Sequence, residues 1–184
     1  FASHVESLFN KAQVARRPLS LIMVDIDHFK KVNDTHGHAI GDRVIQEVAK
    51  KLNECVRSTD LVCRYGGEEF CLILPGMPES VAATVADRMR VRIHELAGMS
   101  VREIPDLVVS VSCGINTLTG TQIDVKTLID GADEALYFSK RNGRNRVTLR
   151  SALPKGAEPE EIQGKEAPDQ GNKTVTALEQ SGFE

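Results

Sequence analysis

The chain has 184 residues, of which 41% are hydrophobic and 27% are charged, and its formal net charge at pH 7 is -3. This composition fits one folded domain with a tail, and the charge excludes a general basic field for DNA, RNA or an anionic membrane surface. The longest apolar runs have the length of one strand, far short of the roughly 20 residues that a membrane-spanning helix needs.

The four cysteines, Cys55, Cys63, Cys71 and Cys113, never form a C-x-x-C pair, and each lies among apolar residues. This usage is typical of reduced thiols in a protein core, and it argues against a zinc site or a disulfide framework. It therefore predicts a reducing compartment, and we expect the domain to be cytoplasmic.

The first elements alternate between helix and strand. Apolar residues at helical spacing predict a helix over 1–17 that ends before Pro18. The nearly continuous apolar run 19–26 predicts a strand that is buried on both faces. A polar turn through Asn33 is expected next, followed by a strongly amphipathic helix over 44–56.

An antiparallel hairpin is predicted in the middle of the chain. Two short apolar segments, 61–65 and 68–74, are separated only by Gly66 and Gly67. A Gly-Gly pair can supply the positive φ angles of a two-residue hairpin turn. The hairpin would end at Pro75.

The second half repeats the alternation, with helices predicted over 79–96 and 125–142 and strands over 107–115 and 146–149. The order αβαββαβαβ predicts a mixed sheet covered by helices. Beyond residue 150 the composition changes, because 151–184 contains seven acidic and three basic residues with few large apolar groups. This segment is predicted to be a disordered acidic tail.

Acidic residues are concentrated at two of the predicted turns. Asp25 and Asp27 lie two apart at the carboxyl end of the buried strand, so their side chains project to one side, at an edge where ligands of α/β sheets bind. Two acids that cap a loop explain this pair as well as a metal site does. The hairpin favours the metal site, because its glycines allow close approach to a ligand and Glu68 and Glu69 follow at once. Such hard oxygen ligands suit Mg²⁺ or Mn²⁺, and these ions suit phosphate chemistry.

Three blocks of the sequence together resemble the GGDEF family of diguanylate cyclases. Residues 64–70, RYGGEEF, resemble the family signature in its GGEEF form, 25–42 resemble its other main block, and 132–145 its closing block. The resemblance covers about residues 1–150 and lacks the family's opening block, which would link to a sensory or receiver domain. Such a domain is therefore expected in the full-length protein, which could be attached to a membrane through the missing part.

The resemblance implies a fold and a reaction. The fold is α/β (α+β), with a central five-stranded mixed sheet that includes a β-hairpin and is flanked by helices, similar to the polymerase palm and the core of class III nucleotide cyclases. The reaction condenses two GTP into cyclic di-GMP and two pyrophosphates, with one GTP on each half of a homodimer. The alternative is a receptor that binds cyclic di-GMP or GTP without turnover, although degenerate members of that kind usually lose the glycines or acids that this chain keeps.

The resemblance also assigns roles by position. Asp25 and Glu68 would be catalytic metal ligands for Mg²⁺ or Mn²⁺, with the Ile26 carbonyl assisting. Glu69 would bind a second metal ion or help to remove the 3′-hydroxyl proton. The substrate contacts implied for guanine are Asn33 and Asp42, and those implied for the phosphates are Phe29, Lys30, Gly66, Gly67, Lys140 and Arg144.

Simpler explanations exist for several of these positions when they are taken alone. Asp42 could be the N-cap of the following helix. Lys140 and Arg144 could be cations at a helix C-terminus, where the macrodipole favours them.

A further motif, Arg57-Ser58-Thr59-Asp60, precedes the hairpin. R-x-x-D occurs often by chance, but its spacing from Gly66 matches the family's inhibitory site, which binds cyclic di-GMP. The resemblance therefore implies product inhibition, with Arg57 stacking on guanine as a planar cation and Asp60 accepting hydrogen bonds from the base.

Overall fold

The computed structural model describes residues 2–153 apart from 99, 102–103, 105 and 119–123, and also residues 176–177. The described residues form five α-helices: α1 (Ala2–Val14), α2 (Phe29–His36), α3 (His38–Cys55), α4 (Glu79–Leu96) and α5 (Val125–Arg141). The strands are β1 (Leu19–Ile26), β2 (Leu61–Arg64), β3 (Glu69–Pro75), β4 (Val111–Leu118), β5 (Val147–Leu149) and β6 (Thr176–Ala177). A 3₁₀ turn, Arg150–Ala152, follows β5.

One mixed sheet runs in the order β5-β4-β1-β3-β2-β6. β1 lies at its centre and pairs antiparallel with β3 and β4, while β4 and β5 form the only parallel pair among the described strands. The predicted mixed sheet with a hairpin and flanking helices is thus confirmed, and β6 adds a two-residue strand at the β2 edge. The rest of the predicted tail beyond Leu153 lies outside the described residues.

The sheet has a hydrophobic core on each face. Ile22, Val24 and Ile26 of β1 face α3 and α4, whereas Leu21 and Met23 face α1 and α5. Every residue of β1 is buried, because helices cover both faces, as the continuous apolar run predicts. The four cysteines are free and buried, as expected. Within the described residues, none of the helices combines the length and apolar character needed to cross a bilayer.

The predicted polar turn after β1 is wrong, because this segment forms a short helix, α2. Phe29 is the only buried residue of α2, so the sequence shows no apolar periodicity there. The next helix, α3, begins at His38, six residues before the predicted start at 44. Its first turns contain the buried Gly41, which carries no apolar side chain to mark the core face.

The predicted strand over 107–115 is also displaced, because β4 extends from Val111 to Leu118. Its limits follow from its partner: Val111 pairs with Ile26 at one end of β1, and Leu118 pairs with Leu19 at the other. The alternation of apolar and polar residues before Val111 therefore does not extend the strand. The predicted strand over 19–26 and helix over 79–96 are confirmed at both ends.

Candidate functional site

The sheet brings the hairpin glutamates to the end of β1. Asp25 lies opposite Glu69 of β3 in the strand register. The amide of Ile26 donates a hydrogen bond to the carbonyl of Glu68 at 3.3 Å, which fixes the hairpin loop beside the end of β1. Asp25, Glu68 and Glu69 therefore form one acidic cluster, as the sequence analysis expects.

Lys140 of α5 forms an ion pair with the acidic cluster. The Lys140 ammonium lies 2.7 Å from Asp25 Oδ2, and Asp25 is only 4% exposed. Burial raises the pKa of Asp25 from 3.8 to about 7; the ion pair with Lys140 opposes this increase, and the charges of Glu68 and Glu69 add to it. The pKa of Glu68 is also raised, chiefly by burial. Asp25 and Glu68 thus both interact with the Lys140 ammonium, and the burial and mutual repulsion of these acids favour binding of a further cation.

The donor chemistry of this cluster fits Mg²⁺ or Mn²⁺. Among the described residues, no group of three His, Cys, Asp or Glu side chains forms a complete metal cage. Mg²⁺ does not need such a cage, since it is usually bound through one or two carboxylates together with substrate phosphates. Asp25 and Glu68 supply carboxylates of this kind, and the Ile26 carbonyl would be a further oxygen ligand.

Asp27 has a different environment from Asp25, although both are buried. Its carboxylate accepts hydrogen bonds from the hydroxyls of Ser110 and Ser112 at 2.7 and 2.6 Å. It also accepts one from the Asn145 amide at 3.0 Å. These donors tie the end of β1 to β4 and to the turn after α5, so Asp27 holds the loops together while Asp25 lies in the acidic cluster.

The hairpin loop is longer than predicted. β2 ends at Arg64 and β3 begins at Glu69, and neither Gly66 nor Gly67 has a left-handed φ, so the predicted two-residue turn is wrong. The Glu69 carbonyl instead accepts hydrogen bonds from the amides of Tyr65 and Gly66 at 2.7 and 3.2 Å. Arg64 donates from Nε and Nη2 to the Gly67 carbonyl at 3.1 and 2.6 Å. Side-chain and backbone bonds, rather than glycine φ angles, shape this loop.

The two glycines of the loop have different roles. A Cβ at Gly66 would lie 2.6 Å from Glu69 Oε2, so the absence of a side chain makes room for that carboxylate. At Gly67, no atom of the described residues lies within 4 Å of the Cβ position, and the residue is exposed. Gly66 therefore accommodates Glu69, and Gly67 leaves the loop open to an approaching ligand.

A second group of predicted residues meets where α2 and α3 pack together. A Cβ at Gly41 would lie 1.9 Å from Asn33 Oδ1 and 3.1 Å from the Phe29 ring, so Gly41 creates the space for Asn33. Asn33 Oδ1 is buried and has no hydrogen-bond partner among the described residues. An unpaired buried acceptor is costly and indicates a missing donor.

Asp42 follows Gly41 as the fifth residue of α3 and is exposed. The N-cap of α3 is Gly37, so the N-cap explanation for Asp42 is wrong.

The two predicted phosphate ligands on α2 differ in exposure. Lys30 is exposed, whereas the ring of Phe29 is buried, so Phe29 can contact a phosphate only through its backbone. The N-cap of α2, His28, makes no side-chain capping bond. The first amides of a helix bind anions readily, and the beginning of α2 offers such amides directly after the acidic end of β1.

Arg144 lies in the turn after α5, beyond the end of the helix. Its backbone φ is 59°, and its amide donates to the Ser139 carbonyl at 3.0 Å. Its side chain is half-buried and forms no ion pair within the described part of the chain. The two cations thus differ in their partners: Lys140 pairs with the Asp25 carboxylate, whereas Arg144 has no carboxylate partner among the described residues.

The R-x-x-D motif forms a separate turn between α3 and β2. The amide of Arg57 donates to Asp60 Oδ2 at 2.9 Å, and the amide of Asp60 donates to the Arg57 carbonyl at 3.0 Å. Asp60 is buried and its Oδ1 has no hydrogen-bond partner among the described residues, while Arg57 is exposed. The length of β2, roughly 13 Å for four residues, separates this turn from the hairpin loop.

Several residues that hold the site in place are not among the predicted site residues. Ser110, Ser112 and Arg64 are examples, and each acts on a residue near the site through a hydrogen bond. The alternation of serine with apolar residues before and within β4 is the one signal that could have pointed to Ser110 and Ser112. No local pattern distinguishes Arg64 from any other arginine beside a turn.

Comparisons with known proteins agree with this geometry. The family model described as "Diguanylate cyclase, GGDEF domain" matches residues 1–146. Diguanylate cyclase A of Treponema denticola is 43% identical over 147 residues, which are 79% of this chain and 39% of that protein. The response regulator PleD of Caulobacter vibrioides is 38% identical over 148 residues, which are 80% of this chain and 33% of that protein. The chain thus spans between a third and two fifths of the length of these curated relatives.

Solved structures show the same fold. The GGDEF domain of DgcB from Caulobacter crescentus, in complex with c-di-GMP, has a TM-score of 0.77 at 34% identity and matches 83% of this chain and 89% of its own. The active GGEEF domain of a diguanylate cyclase from Vibrio cholerae has a TM-score of 0.73 at 32% identity and matches 80% and 92%. The expected fold, with the palm-like sheet of these cyclases, is confirmed.

Proposed function

This chain belongs to the GGDEF family of diguanylate cyclase domains, and on that basis we propose that it condenses two GTP molecules into cyclic di-GMP. In each half-reaction a 3′-oxygen attacks the α-phosphorus of the other GTP, a new P–O bond forms, and the bond to pyrophosphate breaks. The observation that carries the proposal is the acidic cluster of Asp25, Glu68 and Glu69 around Lys140 at the end of β1.

Asp25 and Glu68 would hold Mg²⁺ or Mn²⁺ together with the Ile26 carbonyl. When bound, the ion supplies charge stabilisation to the phosphate oxygens during in-line displacement. Glu69 would accept the 3′-hydroxyl proton or contribute to a second metal site. Lys140, now paired with Asp25, would exchange this partner for a phosphate oxygen.

The remaining residues would bind and orient GTP. Asn33, whose Oδ1 has no donor among the described residues, and Asp42 would accept hydrogen bonds from the donor edge of guanine. The phosphates would be bound by the helix-terminal pair Phe29 and Lys30, the loop glycines Gly66 and Gly67, and the cations Lys140 and Arg144.

We further propose that the reaction requires a homodimer, since each GTP needs the 3′-hydroxyl of the other. The matched relatives are much longer than this chain, and one of them is a response regulator. This supports a sensory or receiver domain that brings two copies together. The four free, buried thiols suit the cytoplasm, where GTP is available.

Product inhibition at Arg57 and Asp60 is the second part of the proposal. The unpaired, buried Asp60 Oδ1 supports a ligand that donates hydrogen bonds to it. The turn lies apart from the acidic cluster, so it could bind cyclic di-GMP without affecting the metal ligands directly. The alternative function is a receptor without turnover. Such a receptor would also bind its ligand at a turn that lies apart from the acidic cluster.

Incubation of the purified chain with GTP and Mg²⁺, with products resolved by chromatography, tests the synthesis. We expect cyclic di-GMP from the wild type and none from a Glu68→Ala, Glu69→Ala variant that still folds by circular dichroism. Glu95→Ala, at an exposed position of α4, is the matched control and should retain full synthesis.

If the chain yields no product, the assay is repeated with a fused constitutive dimeriser. Synthesis by the fusion would show that only pairing was missing. Binding of cyclic di-GMP without any synthesis by the fusion would favour the receptor. Inhibition of synthesis by micromolar cyclic di-GMP, lost in Arg57→Ala, would support the inhibitory site.

A further inference from the structure

The turn that carries Arg144 has an unusual backbone. Gly143, Arg144 and Asn145 are consecutive residues with φ values of 107°, 59° and 44°. Left-handed backbone is sterically unfavourable for a long side chain such as that of Arg144, whereas glycine and asparagine tolerate it, and a strained residue persists only where the surroundings hold it. Arg144, proposed above as a phosphate ligand, therefore depends on contacts that keep this turn in place.

Besides the bond from the Arg144 amide to the Ser139 carbonyl, two contacts reach the turn at Asn145, one from the sheet and one from α4. From the sheet side, the buried carboxylate of Asp27 accepts a hydrogen bond from the Asn145 amide at 3.0 Å. From the helix side, Arg90 of α4 donates from Nη1 to Asn145 Oδ1 at 2.9 Å. Arg90 also donates from Nε to Asp87 Oδ1 at 2.8 Å, so its guanidinium is oriented by a carboxylate on its own helix.

Arg90 is well suited to this contact. Its side chain is 21% exposed, compared with 59% for Asp87, so most of its length is packed against the protein. Its planar guanidinium uses separate nitrogens for Asp87 and Asn145, which a lysine ammonium cannot do with the same geometry. The Asp87, Arg90 and Asn145 side chains thus form one connected chain of hydrogen bonds from α4 to the turn.

We infer that Arg90 is a positioning residue for the phosphate end of the substrate: it holds Asn145, and through it the left-handed turn that presents Arg144. This inference rests on the proposed function. Arg90 acts through Arg144 and has no contact with the substrate of its own. Loss of Arg90 should therefore weaken binding of a triphosphate and leave binding of a guanosine monophosphate unchanged.

The test compares two ligands on the full chain with Mg²⁺. Dissociation constants for GMP and for the α,β-methylene analogue of GTP, which resists turnover, are measured by calorimetry. In Arg90→Met we expect the analogue to bind about tenfold more weakly and GMP to bind within twofold of the wild type. Arg92→Met, on the same helix and paired with Glu54, is the matched control and should change neither constant.

A double-mutant cycle separates positioning from a general structural role. If Arg90 acts through Arg144, then Arg90→Met combined with Arg144→Met binds the analogue no more weakly than Arg144→Met alone. The inference would be overturned if the double variant lost affinity for the analogue by the product of the losses in the two single variants. An equal loss for GMP and the analogue in Arg90→Met would also overturn it, because a general loosening of the domain would affect both ligands.

Two further variants cover a failure of Arg90→Met to fold. Asn145→Gly keeps a residue suited to φ 44° and removes the acceptor of Arg90, so it should show the same selective loss. Arg90→Lys, which keeps the charge, should recover part of the affinity for the analogue. If Asn145→Gly binds the analogue as the wild type does, the inference is wrong.

The outcomes also separate this inference from the proposed function. A wild type that binds the analogue no more tightly than GMP would contradict the phosphate site itself, and with it the role of Arg90. A wild type that prefers the analogue, together with an Arg90→Met variant that keeps this preference in full, would overturn only the inference.

Discussion

Asp25 and Asp27 lie two residues apart at the end of β1, and both are buried, but their surroundings differ in kind. Asp27 is surrounded by neutral donors: two serine hydroxyls and a backbone amide. Asp25 pairs with the cation Lys140 and has two further carboxylates nearby, and burial, with a smaller contribution from these carboxylates, raises its pKa to about 7. A buried carboxylate that accepts all its hydrogen bonds from the protein has a structural role. A buried carboxylate among other negative charges is a candidate for binding a ligand.

The largest effect is expected from neutralising Asp25. In Asp25→Asn the acidic cluster loses a metal ligand, so cyclic di-GMP synthesis should fall by roughly 10³-fold, a loss equivalent to several kcal/mol of transition-state stabilisation. The free energy of unfolding without metal should stay the same or increase, because a crowded buried charge is removed. Product chromatography and urea unfolding measure the two quantities. A substantial loss of stability would mean that Asp25 is structural as well.

The opposite pattern is expected for Asp27. Asp27→Ala leaves three donors without their acceptor, from Ser110, Ser112 and Asn145. We expect the free energy of unfolding in urea to fall by about 2–4 kcal/mol. The reason is that a buried donor without an acceptor still carries the cost of its removal from water. Asp34→Ala, at an exposed position of α2, is the matched control and should be neutral. A neutral Asp27→Ala would remove the distinction drawn between the two aspartates.

Lys140 sharpens the comparison, because it is the only cation that interacts with Asp25 in the described structure. Lys140→Met leaves the Asp25 carboxylate buried without its counter-ion, and the free energy of unfolding should fall by about 1–2 kcal/mol in metal-free buffer. Saturating Mg²⁺ should restore most of this loss, because a bound dication takes the place of the ammonium. Urea unfolding with EDTA or with Mg²⁺ measures the difference. A loss that Mg²⁺ does not reduce would argue against a metal at Asp25.

The same comparison explains what the sequence could predict. The bounds of β1 and α4 were predicted correctly because one is an uninterrupted apolar run and the other has clear helical periodicity. α2 was missed because Phe29 is its only buried residue. The bounds of β4 are set by pairing with β1, which lies far away in the chain.

The site shows the same limit. The acidic cluster could be predicted, since its members belong to motifs that resemble one family. Asp25 and Asp27 could not be distinguished locally, because the donors to Asp27 lie 83 to 118 residues away in the chain. The metal, the guanine contacts and the inhibitory turn remain predictions.

The smallest effect concerns Cys113, a buried acid close to Asp27 that titrates at high pH. Burial raises the pKa of the Cys113 thiol from 9.0 to about 12, and the charge of Asp27 adds to the increase. Because the folded pKa lies above the unfolded one, the folded state keeps a proton that the unfolded chain releases above about pH 9. The stabilisation is therefore complete below pH 9 and is lost as pH rises from 9 towards 12, by about 1.4 kcal/mol per pH unit for one thiol.

Without the Cys113 thiol, this fall in the free energy of unfolding with pH should disappear. Between pH 9 and pH 10, Cys113→Ala should lose about 1 kcal/mol less stability than the wild type, measured by urea unfolding at each pH. Val24→Ala is the matched control, because Val24 is buried opposite Cys113 in the register and does not titrate. Its cavity lowers the free energy of unfolding by a similar amount at both pH values. If the stability of Cys113→Ala and of the wild type fell equally with pH, the Cys113 thiol would be accessible to solvent in the folded protein. The region around Asp27 would then be less tightly packed than the three short hydrogen bonds to Asp27 imply.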